Sequence, residues 1–124
     1  MEPKRGSLVF PVNGESMTVP QASHLSCPSC GEVVLRLDEA DSLREAALET
    51  YRRKHGLLTG AEIRAMRRRL GLTQAAMAKL LRLGSNTVSR WEAGRNVQSA
   101  SMDMLLRVVR DLPGGLEYLQ TVAA

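Results

Sequence analysis

Hydrophobic and polar positions alternate near the N-terminus and then settle into a three-to-four residue rhythm, so the chain predicts a small β unit followed by helices. The runs Leu8-Val9-Phe10-Pro11-Val12 and Ser16-Met17-Thr18-Val19 flank Asn13-Gly14. Asn-Gly accepts positive φ at both central turn positions, so a hairpin is expected there. Residues 1–6 are polar and expected to fray, residues 21–31 are expected to form a polar loop, and Val33 to Leu37 reads as a short third strand. Asp38 reads as an N-cap, with Asp41 in the next turn, where the helix dipole favours negative charge. The helix that follows, to about His55, places Leu43, Ala47 and Tyr51 on one side with Ala46 and Leu48 flanking. His55-Gly56 is its stop, and residues 57–60 form a connector.

Five further helices are predicted beyond that point. The first, near Ala61–Leu70, buries Ile63, Met66, the Arg67 stem and Leu70, and ends at Gly71. Thr73 caps the second, which runs to about Leu81. The third spans about Ser85–Ala93 and stops at Gly94, with Val88 and Trp91 inward and Asn86, Ser89 and Arg90 outward. A fourth, about Ser99–Leu112, buries Met102, Leu105, Leu106 and Val109 before Pro113-Gly114-Gly115. The fifth carries Leu116, Leu119 and Val122 on one stripe. The expected fold class is therefore mostly α: a C-terminal five-helix domain over 60–124, a small β-hairpin and zinc-knuckle-like unit over 1–37, and a linking helix over 38–59.

At 124 residues the chain holds one ordinary domain or two very small ones. Only 3% of residues are aromatic, so the cores must be aliphatic and thin. No apolar run approaches the roughly 18–20 residues that span a bilayer, and no signal-peptide pattern follows the charged N-terminus. A cytoplasmic location is expected, with reduced cysteines unless a metal holds them. The net charge of +4 is unevenly spread. Residues 1–59 hold seven basic and eight acidic side chains, whereas residues 60–124 hold ten basic and five acidic. Such a basic half suits phosphates, although a solvated basic helix face would look the same.

The second and third C-terminal helices, Leu72–Leu81 and Asn86–Gly94, form a close pair. An outer face of short hydrogen-bonding side chains and one arginine is what a helix needs to lie in a DNA major groove. Arg90 can donate two hydrogen bonds to guanine O6 and N7, and Asn86 can pair with adenine N6 and N7. Each such contact discriminates by about 1–3 kcal/mol. Simple helix-start and solvent duty is the plainer reading of Asn86 and the serines.

The LTQ of residues 72–74 and the SRWEAG of residues 89–94 resemble the phage-repressor (XRE-type) helix-turn-helix over about residues 60–112. That resemblance implies base reading from Ser85, Asn86, Thr87, Ser89 and Arg90. It also implies that Thr73 and Gln74 open the helix abutting the sugar-phosphate backbone, where Gln74 bonds a phosphate or braces Asn86. Arg95 and Asn96 would contact phosphates, Arg95 being otherwise a free surface charge. Arg67 and Glu92 occupy positions that pair as a partly buried, structural ion pair, and Trp91 is core. Two departures stand out. Arg82 replaces the glycine common in the turn, which demands an unusual backbone conformation, and Gly84 replaces the usual hydroxyl cap of the third helix.

Cys27-Pro28-Ser29-Cys30-Gly31 is a knuckle that can point two thiolates at one metal, but structural zinc wants four ligands. His24 is a candidate third ligand. Zinc held with His24 or a symmetry mate, a knuckle without metal, and a redox pair are the open readings; no βαβ pattern supports the last. The order hairpin, Cys-x-x-Cys, strand, helix, helix-turn-helix resembles the MqsA-type antitoxins. The resemblance implies an N-terminal zinc-binding domain that holds a toxin and a C-terminal domain that dimerises and represses its own operon. The expected protein is thus a non-enzymatic, sequence-specific transcriptional repressor, the antitoxin of a type II toxin-antitoxin system. Its partners would be double-stranded DNA with an inverted-repeat operator, a toxin, and a second copy through Leu116, Tyr118, Leu119 and Val122, for which ordinary core packing is the equal alternative. A stand-alone regulator with no toxin partner is the alternative.

Overall fold

The computed structural model describes residues 1–123 and divides the chain into two compact units, Met1–His55 and Gly56–Ala124. In the first, β1 (Glu2–Val12) and β2 (Glu15–Ser26) form an antiparallel hairpin. Asn13 and Gly14 turn it with φ of 51° and 80°, the two positive values a type I′ turn requires. A short β3 (Val33–Val34) pairs with Leu25 and Ser26 on the far side of β2, giving the order β1-β2-β3.

Both long strands exceed their expected lengths. Residues 2–6 pair with 22–26 rather than fraying, and the register shifts between Gly6 and Leu8, opposite Pro20 and Gln21. Gln21 takes a φ of 56° there, so the extra residue is absorbed as a bulge. Beyond it the inward positions of β2 are Ala22, His24 and Ser26, all buried. Small and polar inward residues leave no hydrophobic alternation to read, so this stretch reads as loop from sequence. The fold is consequently mixed α and β rather than mostly α.

Helix α1 (Leu37–His55) packs against both long strands and so belongs to this unit instead of serving only as a link. It buries Leu43, Ala47 and Leu48, while Val12, Met17, Val19 and Ala22 are the buried apolar residues of the sheet. Asp38 lies inside its first turn; the Glu39 carboxylate accepts the Arg36 amide at 2.9 Å.

The second unit is all helix: α2 (Gly60–Arg69), α3 (Gln74–Leu80), α4 (Thr87–Glu92), α5 (Ala100–Asp111) and α6 (Gly115–Ala123). Thr59 and Glu62 close a capping box at α2, and Thr73 and Ser99 cap α3 and α5 through their hydroxyls. Leu58, Ile63, Met66, Met77, Val88, Trp91, Leu106 and Val109 form one core, with Leu116 and Leu119 packed against it. Among the described residues no helix is long and apolar enough to cross a membrane.

Candidate nucleic-acid interface

Helix α4 has only six residues, too few to be stable alone. Its neighbours therefore hold it. Val88 is fully buried and Trp91 nearly so, and both belong to the core. Where α2 begins, the backbone of Gly60 runs so close to α4 that a Cβ there would lie 2.6 Å from the Trp91 carbonyl oxygen and 2.7 Å from that of Glu92. Only glycine allows that approach.

The last residue of α4, Glu92, ties three helices together. Its carboxylate is wholly buried. Oε2 accepts Arg67 Nε at 2.7 Å, and Oε1 accepts Arg67 Nη2 at 3.0 Å, Arg64 Nε at 3.2 Å and Gln74 Nε2 at 3.2 Å. Arg67 spends its remaining nitrogen, Nη1, on the Leu72 carbonyl at 2.9 Å. Burial alone would raise the Glu92 pKa. The hydrogen bonds from Arg67, Gln74 and Arg64 outweigh it and hold the carboxyl below its ordinary value.

The residues singled out from the sequence lie on the opposite side of α4, in the turns that flank it and at the start of α3. Ser85 and Asn86 are exposed but sit in the turn before the helix, which starts two residues later than expected. Asn86 makes no side-chain cap, and Gly84 has no hydroxyl to supply one. Thr87 and Ser89 are half-buried, whereas Arg90 is exposed. Arg95 and Asn96 are exposed just beyond, their amides directed to the Arg90 carbonyl at 2.9 and 3.4 Å. Thr73 is exposed, with its hydroxyl accepting the Ala76 amide. Half-buried Gln74 braces Glu92 rather than Asn86. Arg82, in the turn between α3 and α4, has a φ of 56°, the left-handed backbone its substitution for glycine implied.

A second polar cluster escapes sequence reading. Asp103 on α5 accepts the Leu58 amide at 2.8 Å, Gln98 Nε2 at 3.1 Å and Arg107 Nε at 2.8 Å, while Gln98 also donates to the Leu58 carbonyl at 2.8 Å. It locks the connector before α2 onto α5. Burial would raise the Asp103 pKa, but the bonds from Arg107, Leu58 and Gln98 lower it overall. Buried polar residues leave no periodic trace that would have found this cluster.

Apolar surface gathers on α5 and α6. Met104, Val108 and Leu112, four residues apart, are exposed along α5, as are Tyr118 and Val122 on α6. Of the two readings open for Leu116 and Leu119, dimer surface or core packing, the second holds, since both pack against the core.

In the first unit, Cys27 and Cys30 are free thiols in a turn closed by the Gly31 amide on the Cys27 carbonyl at 2.8 Å. Hydrogen bonding from the Cys30 backbone, then from the Ser29 hydroxyl, lowers the Cys27 thiol to about 7. His24 does not join them: its ring is buried and Nδ1 donates to the Ala22 carbonyl at 2.9 Å. Among the described residues no group of three or more His, Cys, Asp or Glu is placed to hold a metal ion. Two thiols fall short of the four ligands of structural zinc, so the described residues of one copy do not by themselves complete such a site.

Residues 2–120 match the family model described as the antitoxin component of a bacterial toxin-antitoxin system, MqsA. No curated protein matches the chain.

Proposed function

The chain belongs to the MqsA antitoxin family, and from that premise we propose that it is a dimeric, sequence-specific DNA-binding repressor that neutralises a toxin and controls its own operon. The observation that carries the DNA reading is the division of α4 into two faces. Val88, Trp91 and Glu92 are buried behind it, and Asn86 and Arg90 are exposed in front. Among the described residues no hydrogen bond or ion pair engages the Arg90 guanidinium, which leaves its planar fork for guanine O6 and N7. Asn86 and Ser89 read neighbouring base edges with Ser85 and Thr87, while Arg95, Asn96, Thr73 and Gln74 set the register on phosphates.

Two copies pair through the apolar stripe of Met104, Val108 and Leu112 together with Tyr118 and Val122. The operator is accordingly an inverted repeat with half-sites about one helical turn apart. The N-terminal unit holds the toxin. The protein acts by binding, not by catalysis, and in the cytoplasm, where the DNA is.

Selecting bound duplexes from a random pool tests this reading. An enriched inverted repeat is expected, and Arg90→Ala should bind all sequences alike while unfolding at the same denaturant concentration. Failure to enrich any sequence, or unchanged selectivity in the variant, refutes the assignment of α4 as the reading helix.

A further inference from the structure

We propose that Arg64 is an additional phosphate-binding residue of this interface, held in place by Glu92. The inference rests on the DNA-binding reading above and extends it to a side chain outside the helix pair.

Charge at the Glu92 cluster does not balance. One carboxylate meets two guanidinium groups, and they are engaged very differently. Arg67 grips both oxygens, spends Nη1 on Leu72 and has a side chain only 11% exposed. It is consumed by the fold. Arg64 gives one nitrogen, Nε, to Oε1 at 3.2 Å, and its side chain is 49% exposed. Both of its terminal nitrogens are left without an acceptor among the described residues. The surplus positive charge of the cluster therefore resides on a guanidinium that is oriented at one end and open at the other.

What stands beside it selects the ligand. Gln74 Nε2 is bonded to the same Oε1 atom at 3.2 Å, so Arg64 and Gln74 lie within two hydrogen-bond lengths of each other. Gln74 belongs to the set that positions the backbone, and Glu92 itself ends the helix whose other face carries Arg90. A guanidinium edge presenting parallel N–H donors fits a phosphodiester, whose paired oxygens accept both. The Glu92 bond also restricts the long side chain beforehand, which reduces the ordering cost of binding. A carboxylate on a protein partner would satisfy the same donors, but the shared patch with Gln74 favours nucleic acid.

The test measures binding of the full-length protein, Arg64→Gln and Arg64→Lys to the selected duplex and to random duplex across a salt series. Arg64→Gln should weaken both duplexes by the same factor and reduce the salt slope by about 0.9 for each phosphate no longer neutralised. Its disadvantage should then shrink about three- to fourfold per phosphate between about 50 and 200 mM salt. Arg64→Lys should keep the slope. Urea unfolding followed at Trp91 should place Arg64→Gln near wild type, since an ion pair half open to water contributes little. An unaltered slope and affinity, or a loss confined to the selected duplex, would overturn the proposal. An unchanged DNA profile with weakened binding of an acidic protein partner would do so too. Should the wild-type protein itself not bind duplex DNA, the broader reading fails, and the two failures remain distinct.

Discussion

Replacing Glu92 with glutamine tests how much of the helical unit depends on one carboxylate. The substitution preserves shape and one carbonyl acceptor. However, it removes the anion to which Arg67 and Arg64 are bonded, and it turns an amide N–H toward donors that now hold the carboxylate at 2.7 to 3.2 Å. Breaking a buried ion pair from one side costs about 3–5 kcal/mol, because the remaining charge is stranded. The lower end applies here. Arg67 keeps its bond to Leu72 and some exposure, and Arg64 can swing into water. A loss of about 3 kcal/mol is a large part of the stability of a domain this small and lowers its melting point by on the order of 15 °C. Trp91 is the only tryptophan and is buried next to the change, so its fluorescence in urea reports this unit directly. Arg67→Met combined with Glu92→Leu should recover part of the loss, since the stranded charge is gone. A single-variant loss below about 1 kcal/mol, or strict additivity of the pair, would refute the account of Glu92 as the anchor of α4.

Other perturbations probe different elements. Arg82→Gly should stabilise the unit by up to about 1 kcal/mol by relieving left-handed backbone strain; a destabilisation measured in urea would show that the arginine makes a compensating interaction. Gly60→Ala should cost about 1–3 kcal/mol through overpacking against the α4 carbonyls, and a neutral melting point would contradict that fit. Glu92 and Asp103 both have folded pKa values below their ordinary 4.5 and 3.8. The stability they provide is therefore complete above that range and is lost as pH falls through it, because the unfolded chain binds the protons more readily. Melting points recorded from neutral pH downward should decline there, and less steeply in Asp103→Asn.

The helices of the second unit are legible because each joins an apolar stripe to a punctuating residue: Thr73 before α3, Gly71 and Gly94 after α2 and α4, Ser99 before α5. The hairpin turn is equally plain from Asn13-Gly14. Sequence misleads where inward positions are not hydrophobic. Ala22, His24 and Ser26 conceal the second half of the hairpin, and Gln98 and Asp103 conceal the lock on the connector. At the interface, spacing picks out the outward residues of α4, but not the partners of Gln74. Whether a half-buried amide turns to Asn86 or to Glu92 depends on distances between helices, which no linear pattern encodes. The apolar stripe of α6 shows the same limit: Leu116 and Leu119 share a helix face by sequence, which leaves a dimer surface and core packing as equal readings, and only the packed fold decides for the core.

The two-sided construction of α4 has an evolutionary consequence. Residues that keep the helix in position are not those that would meet a base, so Asn86 and Arg90 can be exchanged for other polar side chains with little penalty to folding. A lineage built on this scaffold could drift from one operator to another through a few outward replacements. The indole and the carboxylate behind them would stay under constraint throughout.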